Sequence, residues 1–307
     1  MKIMTCFTID GTTLDFSSSQ QKGVKVSPLH ISSNDTHAKA LTRLLLGGCA
    51  IDGKYGRVVQ PRNYLAIGAP SSSIFPSREL ARVFSDLGVE RGGRVYNVGV
   101  IRSVCTHLDS QRNNHSLFYP MLNEVSKSFY NHAHGRCMSG FVHAYRAFES
   151  MSYAFPLFYC RYNTSYTRVY SLLKDFFKGG ELEFCANFYK DLLKDDSLDA
   201  LTYRVKFRGV YSAELAEYLE KKLNWQNKKA LQPALARIDV DEIETSYSNL
   251  FDLIVNARNA YFHHLSGSSS SATSADIKDH EDYFFELNKV AYQVIGYLLS
   301  RLIRVQI

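Results

Sequence analysis

Apolar residues recur every three or four positions along most of the chain after residue 112. This spacing places them on one face of an α-helix, so it predicts a succession of amphipathic helices. The predicted helices cover residues 116–130, 141–158, 164–177, 182–193, 212–223, 241–264 and 279–305. Residues 200–210 alternate enough to form a strand or an extended connection. Residues 113–307 are therefore expected to form an α-helical bundle.

The first 112 residues have a mixed and less regular pattern. Several segments are rich in β-branched side chains and are punctuated by Gly or Pro, which predicts short strands. The predicted strands cover residues 2–9, 57–67 and 95–104. Short helices that stop at Gly are predicted over residues 37–46 and 77–87. The predicted fold is thus mainly α, with a mixed α/β region at 1–112 that would regulate the helical domain at 113–307 or grip its substrate.

The predicted helix over residues 241–264 begins with three acidic residues, Asp241, Glu242 and Glu244. Acidic side chains favour the positive N-terminal end of the helix dipole, so they suit this position. After the helix, residues 266–275 are rich in Ser and Gly, cannot bury a core and are expected to form a mobile loop. The last predicted helix is expected to pack against helix 241–264.

Three polar residues near the end of this predicted helix have catalytic potential. Asn259 and His263 are four residues apart and share a helix face, so the amide can fix the imidazole tautomer. Arg258 can reach a common phosphate and bind its oxygens bidentately, and an imidazole exchanges protons near neutral pH. Attack of an RNA 2′-OH on the adjacent phosphorus requires these functions and no external nucleophile, metal or cofactor.

The arrangement of Arg258, Asn259 and His263 resembles the motif of the HEPN superfamily of ribonucleases. That motif is an Arg, four to six intervening residues and a His, often with Asn directly after the Arg. His263 fits it with four intervening residues and His264 with five, so both imidazoles are candidates. The resemblance implies an all-α, commonly dimeric, metal-independent endoribonuclease, often a toxin or an antiviral effector. It implies catalytic roles for Arg258, Asn259 and His263, and we assign His264 to substrate binding.

One Arg and one His make a sparse active site. Two copies joined across a two-fold axis would supply two imidazoles and two cations, so a homodimer with a composite cleft is predicted. RNA is the expected substrate, and a regulatory or antitoxin partner is a further expectation. The rival function is a non-catalytic helical module that binds RNA, a nucleotide or a protein. In a purely structural alternative, Arg258 pairs with Asp252 or Glu244, and His263 caps the C-terminal end of the helix.

Charge and composition change this interpretation little. The net charge is +6, and residues 1–150 hold the whole surplus, with 17 Lys and Arg against 10 Asp and Glu. Such a surplus would help to attract a polyanion, although a slightly basic surface without a specific partner is the more ordinary explanation. The six Cys are scattered without a Cys-x-x-Cys pair, which favours reduced thiols in the cytoplasm. No apolar run reaches the roughly 18–20 residues that span a bilayer, so no membrane association is expected.

Two further clusters contain side chains with binding potential. His132, His134 and Cys137 suggest a metal site, but no second pair of ligands follows at the usual spacing, so a loop is favoured and no metal is expected. Farther along, several tyrosines alternate with two arginines and could stack on single-stranded RNA. A half-buried aromatic helix face is the favoured interpretation of that second cluster, which comprises Arg161, Tyr162, Tyr166, Arg168 and Tyr170.

Overall fold

In a computed structural model, the residues described are 3–9, 12–17, 45, 50–53, 56–59, 115–162, 165–178, 181–195, 198–226, 235–262 and 277–306. The N-terminal part of this set forms an antiparallel four-stranded sheet in the order β1-β2-β3-β4. Its strands are β1 (Ile3–Ile9), β2 (Thr12–Ser17), β3 (Ala50–Gly53) and β4 (Gly56–Val59). The predicted strand at 2–9 is confirmed. Most residues of the other N-terminal predictions lie outside the described residues. Leu45, which falls in the predicted helix at 37–46, is described and is helical and buried.

The rest of the described chain is mainly α-helical, as the hydrophobic pattern predicts. Its helices are α1 (His115–Ala133), α2 (Cys137–Tyr162), α3 (Tyr166–Lys178), α4 (Glu181–Asp195), α5 (Ser212–Gln226), α6 (Leu250–Phe262) and α7 (His280–Gln306). Apart from α6, each helix begins and ends within about one turn of its predicted position. Among the described helices, none is both long enough and apolar enough to cross a bilayer.

A three-stranded antiparallel sheet interrupts the helices. It consists of β5 (Thr202–Lys206), β6 (Leu235–Asp239) and β7 (Glu242–Ser246), in the order β5-β7-β6. The expected strand within residues 200–210 is confirmed as β5. The hairpin of β6 and β7 is not predicted by the sequence pattern.

The prediction of one helix over residues 241–264 is wrong at its start. Glu242 and Glu244 lie in β7, and α6 begins only at Leu250, after a 3₁₀ turn at Tyr247–Asn249. The side chains of β7 alternate between the core and a charged face, as in a half-buried strand. On the charged face, Arg204 Nε donates to Glu244 Oε1 across the β5–β7 pair at 3.0 Å. Cross-strand pairing therefore determines the structure here, and not the preference of acidic residues for helix starts.

Aromatic side chains fix the position of α6 in the bundle. Phe251, in its first turn, lies with its ring centroid 4.3 Å from Phe148 of α2 and 5.8 Å from Tyr189 of α4. All three rings are buried. Since Arg258 lies two turns after Phe251 on the same face, it also faces α2.

A buried polar network joins α1, α2 and α7. Ser128 Oγ donates to the carbonyl of Gly140 at 2.7 Å and lies 2.8 Å from Tyr292 Oη. Asn288 Nδ2 donates to the carbonyl of Cys137 at 2.9 Å. Gly140 allows this close approach, because a Cβ there would lie 3.1 Å from both Asn288 Nδ2 and the Ser128 carbonyl oxygen. The network thus sets the spacing between the three helices.

His132 completes this network as a buried, neutral imidazole. Its Nδ1 accepts a hydrogen bond from Asn288 Nδ2 at 3.2 Å, and its ring stacks on Phe285 at 4.5 Å. Burial, together with the charge of nearby Lys289, lowers the pKa of His132 to about 3. Its Nε2 has no hydrogen-bond partner within the described residues.

Candidate active site at the end of α6

The C-terminal end of α6 lies between α2 and the first turns of α7. Arg258 contacts Tyr145 of α2, and Tyr261 contacts His280 and Phe284 of α7. These contacts place residues 258–262 at one end of the bundle, where three helices meet.

Arg258 is half-buried, and contacts with Asn259 and Tyr145 help to hold its guanidinium in place. Nη1 donates to Asn259 Oδ1 at 3.1 Å, and Cζ lies 5.0 Å from the centroid of the Tyr145 ring. The second contact is a cation–π interaction, which does not itself use an N–H donor of the guanidinium. A guanidinium ordered in this way loses less side-chain freedom when it binds a phosphate.

The two carboxylates of the structural alternative are bonded to other cations. Asp252 Oδ2 accepts from Lys190 Nζ at 2.7 Å, and Glu244 accepts from Arg204. Each of these two carboxylates thus has a cationic partner other than Arg258.

Asn259 has a partner that the sequence does not predict. Its Oδ1 accepts from Arg258, so the described contact of this side chain is with the cation. That bond uses the carbonyl oxygen and not the NH2 group, which can donate to an imidazole nitrogen. His263 and His264 lie outside the described residues, as does the expected loop at 266–275.

Aromatic rings surround the end of α6. The Tyr261 ring lies edge-on to His280 at 5.5 Å and to Phe284 at 5.0 Å. Phe262 is 38% exposed and its ring lies 6.1 Å from Phe284. Burial raises the pKa of Tyr261, and the charge of Glu281 raises it further. Tyr261 therefore remains a neutral hydroxyl at physiological pH.

His280 is an imidazole at this site that sequence reasoning missed. It is the first residue of α7, half-buried, and its Nδ1 is buried without a hydrogen-bond partner among the described residues. Its distance in sequence from Arg258 gave no reason to connect them. Only the packing of α7 against α6 brings this ring next to Tyr261.

Glu281, the next residue, links α7 to the start of α2. Its carboxylate accepts hydrogen bonds from the backbone N–H groups of Cys137 and Met138, the latter at 3.1 Å. These are two of the N–H groups that lack partners within their own helix at its first turn. The acidic side chain thus fixes the relative position of α2 and α7 beside the end of α6.

The His132–Cys137 segment covers the end of α1, a tight turn and the first residue of α2. His132 is buried in the polar network, and His134 Nδ1 lies 2.8 Å from the Tyr130 carbonyl oxygen. Burial raises the pKa of Cys137 to about 12, and the charge of Glu281 is the second cause, so this thiol is a poor metal ligand. Over the described residues, no group of three or more His, Cys, Asp or Glu is placed to hold a metal ion.

Comparison of the chain with protein-family models, with curated proteins and with solved structures found no match. The functional interpretation therefore depends on the motif and on the contacts described above.

Proposed function

We propose that this protein is a metal-independent endoribonuclease with a HEPN-like helical bundle in residues 113–307. The main support is the ordered guanidinium of Arg258, held by Asn259 and Tyr145 within two turns of the end of α6. A cation fixed at the start of the Arg-Asn-x3-His motif is what binding a scissile phosphate requires.

In the proposed reaction, the RNA 2′-OH attacks the neighbouring phosphorus. His263 takes the proton of the 2′-OH, and Arg258 neutralises the charge that develops on the phosphate oxygens. The bond from phosphorus to the 5′-oxygen breaks, and an imidazolium returns a proton to that oxygen. Asn259 orients His263, and His264 contacts the substrate. The products are a 2′,3′-cyclic phosphate and a 5′-hydroxyl, and no metal or cofactor takes part.

Wild-type protein is expected to cleave single-stranded RNA in the presence of EDTA, and His263→Ala is expected to abolish cleavage. The products should carry the cyclic phosphate and the 5′-hydroxyl, which mass spectrometry identifies. His143→Gln serves as the control, because it removes an imidazole that pairs with Glu124 between α1 and α2. Unchanged cleavage by His263→Ala, or equal loss in the control, would contradict the assignment. In that case His264→Ala tests the other imidazole of the motif.

We further propose a homodimer, because a second copy would supply the second imidazole that the proton transfers use. The specific activity is expected to fall on dilution, in step with the dimer fraction measured by light scattering. A monomer that is fully active at all concentrations would exclude the composite cleft and leave the ribonuclease assignment standing.

The proposed biological role is that of a cytoplasmic toxin or antiviral effector, as the resemblance implies. Residues 1–112 would then regulate the nuclease or grip its RNA, and a regulatory or antitoxin partner would restrain it. Growth arrest on expression, relieved by His263→Ala, is the outcome that supports this role. Protein that is inactive when purified yet toxic in cells would indicate a dormant nuclease that a partner releases.

The alternative is a non-catalytic helical module that binds RNA, a nucleotide or a protein. The ordered Arg258 side chain is compatible with this alternative too, because a guanidinium can bind a phosphate without any cleavage of the RNA. The alternative predicts equal amounts of intact RNA after incubation with wild type, with Arg258→Ala and with His263→Ala. The cleavage assay therefore separates the two functions.

A further inference from the structure

Tyr166 and Tyr170 of α3 are exposed to solvent, with exposed fractions of 80% and 57%. The sequence favours a half-buried aromatic helix face at this place, and for these two side chains that prediction is wrong. Burial of an aromatic ring in the core stabilises a fold, and exposed rings forgo this contribution. Two exposed rings that contact one another therefore indicate a binding role rather than a packing role.

The two rings form a single surface. Their planes are nearly parallel, at 18°, and their centroids are 6.2 Å apart. The residues are four apart in the helix, so they lie on one face, and exposed Lys174 occupies the same face one turn later. Val169 and Leu173, on another face, are partly buried. We define Tyr166, Tyr170 and Lys174 as the tyrosine platform.

The surroundings of the tyrosine platform are polar and basic. Thr167 and Ser171, which flank its rings, are exposed. The sequence of α3 has three basic residues against one acidic residue. A surface that docks a folded protein usually has a larger continuous apolar area than two rings provide. Isolated aromatic faces beside cations suit an extended polyanion that has flat bases.

Arg168 lies two residues from each tyrosine, on a different side of α3, and bonds to a neighbouring helix. Its Nη2 donates to Asp195 Oδ2 of α4 at 2.9 Å, and both side chains are 39% exposed. Because this guanidinium is paired with a carboxylate away from the two rings, Arg168 is not part of the tyrosine platform.

We propose that the tyrosine platform binds single-stranded RNA, with bases stacked on Tyr166 and Tyr170 and a phosphate beside Lys174. Stacking on an aromatic ring does not depend on base identity, because every base has a π-face. This proposal rests on the ribonuclease function above, and it adds a subsite on α3 to the site on α6. The platform would hold substrate without taking part in bond cleavage.

The test is the dissociation constant for a fluorescein-labelled 2′-O-methyl oligoribonucleotide of about 12 nucleotides, measured by fluorescence anisotropy. This probe lacks the nucleophilic 2′-OH, so cleavage cannot disturb the measurement. The double variant Y166A/Y170A is expected to bind about 30-fold more weakly than wild type, since each lost stacking contact weakens binding about 5-fold or more. Y166F/Y170F keeps both rings and is expected to bind like wild type.

Tyr211→Ala is the matched control, because Tyr211 is also exposed, at 42%, but precedes α5. Its dissociation constant should equal that of wild type. The proposal is overturned if Y166A/Y170A binds the probe as wild type does, or if wild type does not bind it. If Y166A/Y170A binds RNA like wild type but no longer forms a complex with a protein partner, the tyrosine platform is a protein-docking surface instead.

Lys174→Gln tests the phosphate contact separately. The slope of the logarithm of the binding constant against the logarithm of salt concentration is expected to fall by about 0.7, the value for one phosphate of a single strand. Lys221→Gln, at an exposed lysine of α5 that pairs with Glu217, should leave the slope unchanged. Equal slopes for Lys174→Gln and wild type would contradict the phosphate contact.

Failure of this proposal is distinguishable from failure of the proposed ribonuclease. Weak binding by Y166A/Y170A together with no cleavage by wild type would leave an RNA-binding module without nuclease activity. Normal binding by Y166A/Y170A together with cleavage that His263→Ala abolishes would leave a nuclease without this subsite.

Discussion

Replacement of Arg258 by Ala is expected to lower the rate of RNA cleavage about 100- to 1000-fold, the usual cost of removing one group that stabilises transition-state charge. The guanidinium contacts Asn259 and Tyr145 on the protein side. N–H groups of this guanidinium are the proposed donors to the phosphate oxygens. Because charge on those oxygens increases in the transition state, the loss should fall mainly on kcat.

Arg258→Lys is expected to be intermediate. An ammonium group keeps the positive charge but lacks the planar fork that can bond Asn259 and a phosphate at once. Single-turnover rates in EDTA give the comparison, with Arg204→Ala as control, because Arg204 is an exposed arginine of β5 that pairs with Glu244. Thermal unfolding of each variant checks the fold, since loss of the cation–π contact with Tyr145 costs about 1 kcal/mol. Cleavage by folded Arg258→Ala at the wild-type rate would refute the assigned role.

The free energy of unfolding is expected to fall by about 2 kcal/mol between pH 6.5 and pH 5 because of His132 alone. In the unfolded chain this imidazole takes up a proton near its ordinary pKa of 6.5, whereas in the folded protein its pKa is about 3. Between these two values the unfolded state binds the extra proton. The contribution of His132 to stability is therefore complete above pH 6.5 and is lost progressively as the pH falls toward 3.

His132→Asn isolates this contribution. Asn cannot take up a proton in this range, and its Oδ1 can replace the imidazole Nδ1 as acceptor for Asn288. The variant will be less stable at neutral pH, because the stacking of His132 on Phe285 is lost. The informative quantity is the difference between wild type and variant in urea unfolding, which should shrink by about 2 kcal/mol on going from pH 6.5 to pH 5. A difference that does not change with pH would show that His132 is accessible to protons in the folded state.

The long helices follow from the sequence because their apolar periodicity agrees with their burial. In α7, for example, Phe284, Leu287 and Leu298 recur on one face and are all fully buried. The local spacing of apolar residues is enough to predict such a helix without knowledge of its tertiary contacts. The hairpin of β6 and β7 is different, since its pairing with β5 joins segments that are far apart in sequence. A short strand that depends on distant partners has only a weak local signal.

At the candidate site, the sequence indicates which residues have catalytic chemistry but not what holds them. Arg258 and Asn259 stand out by their spacing from His263. The contact of Arg258 with Tyr145 and that of Tyr261 with His280 arise only when α2 and α7 pack on α6. The exposure of Tyr166 is likewise a property of the packed bundle, because periodicity alone cannot tell which face of α3 stays uncovered.

The bonds from Glu281 to Cys137 and Met138 have a consequence for how any anion can approach this end of the bundle. The first turn of a helix ordinarily attracts phosphate through its open N–H groups. Here a carboxylate already occupies that position on α2, and its negative charge repels a second anion. An RNA backbone that reaches this end must therefore be bound by cationic side chains such as Arg258, since the N–H groups of the α2 start are already bonded to Glu281.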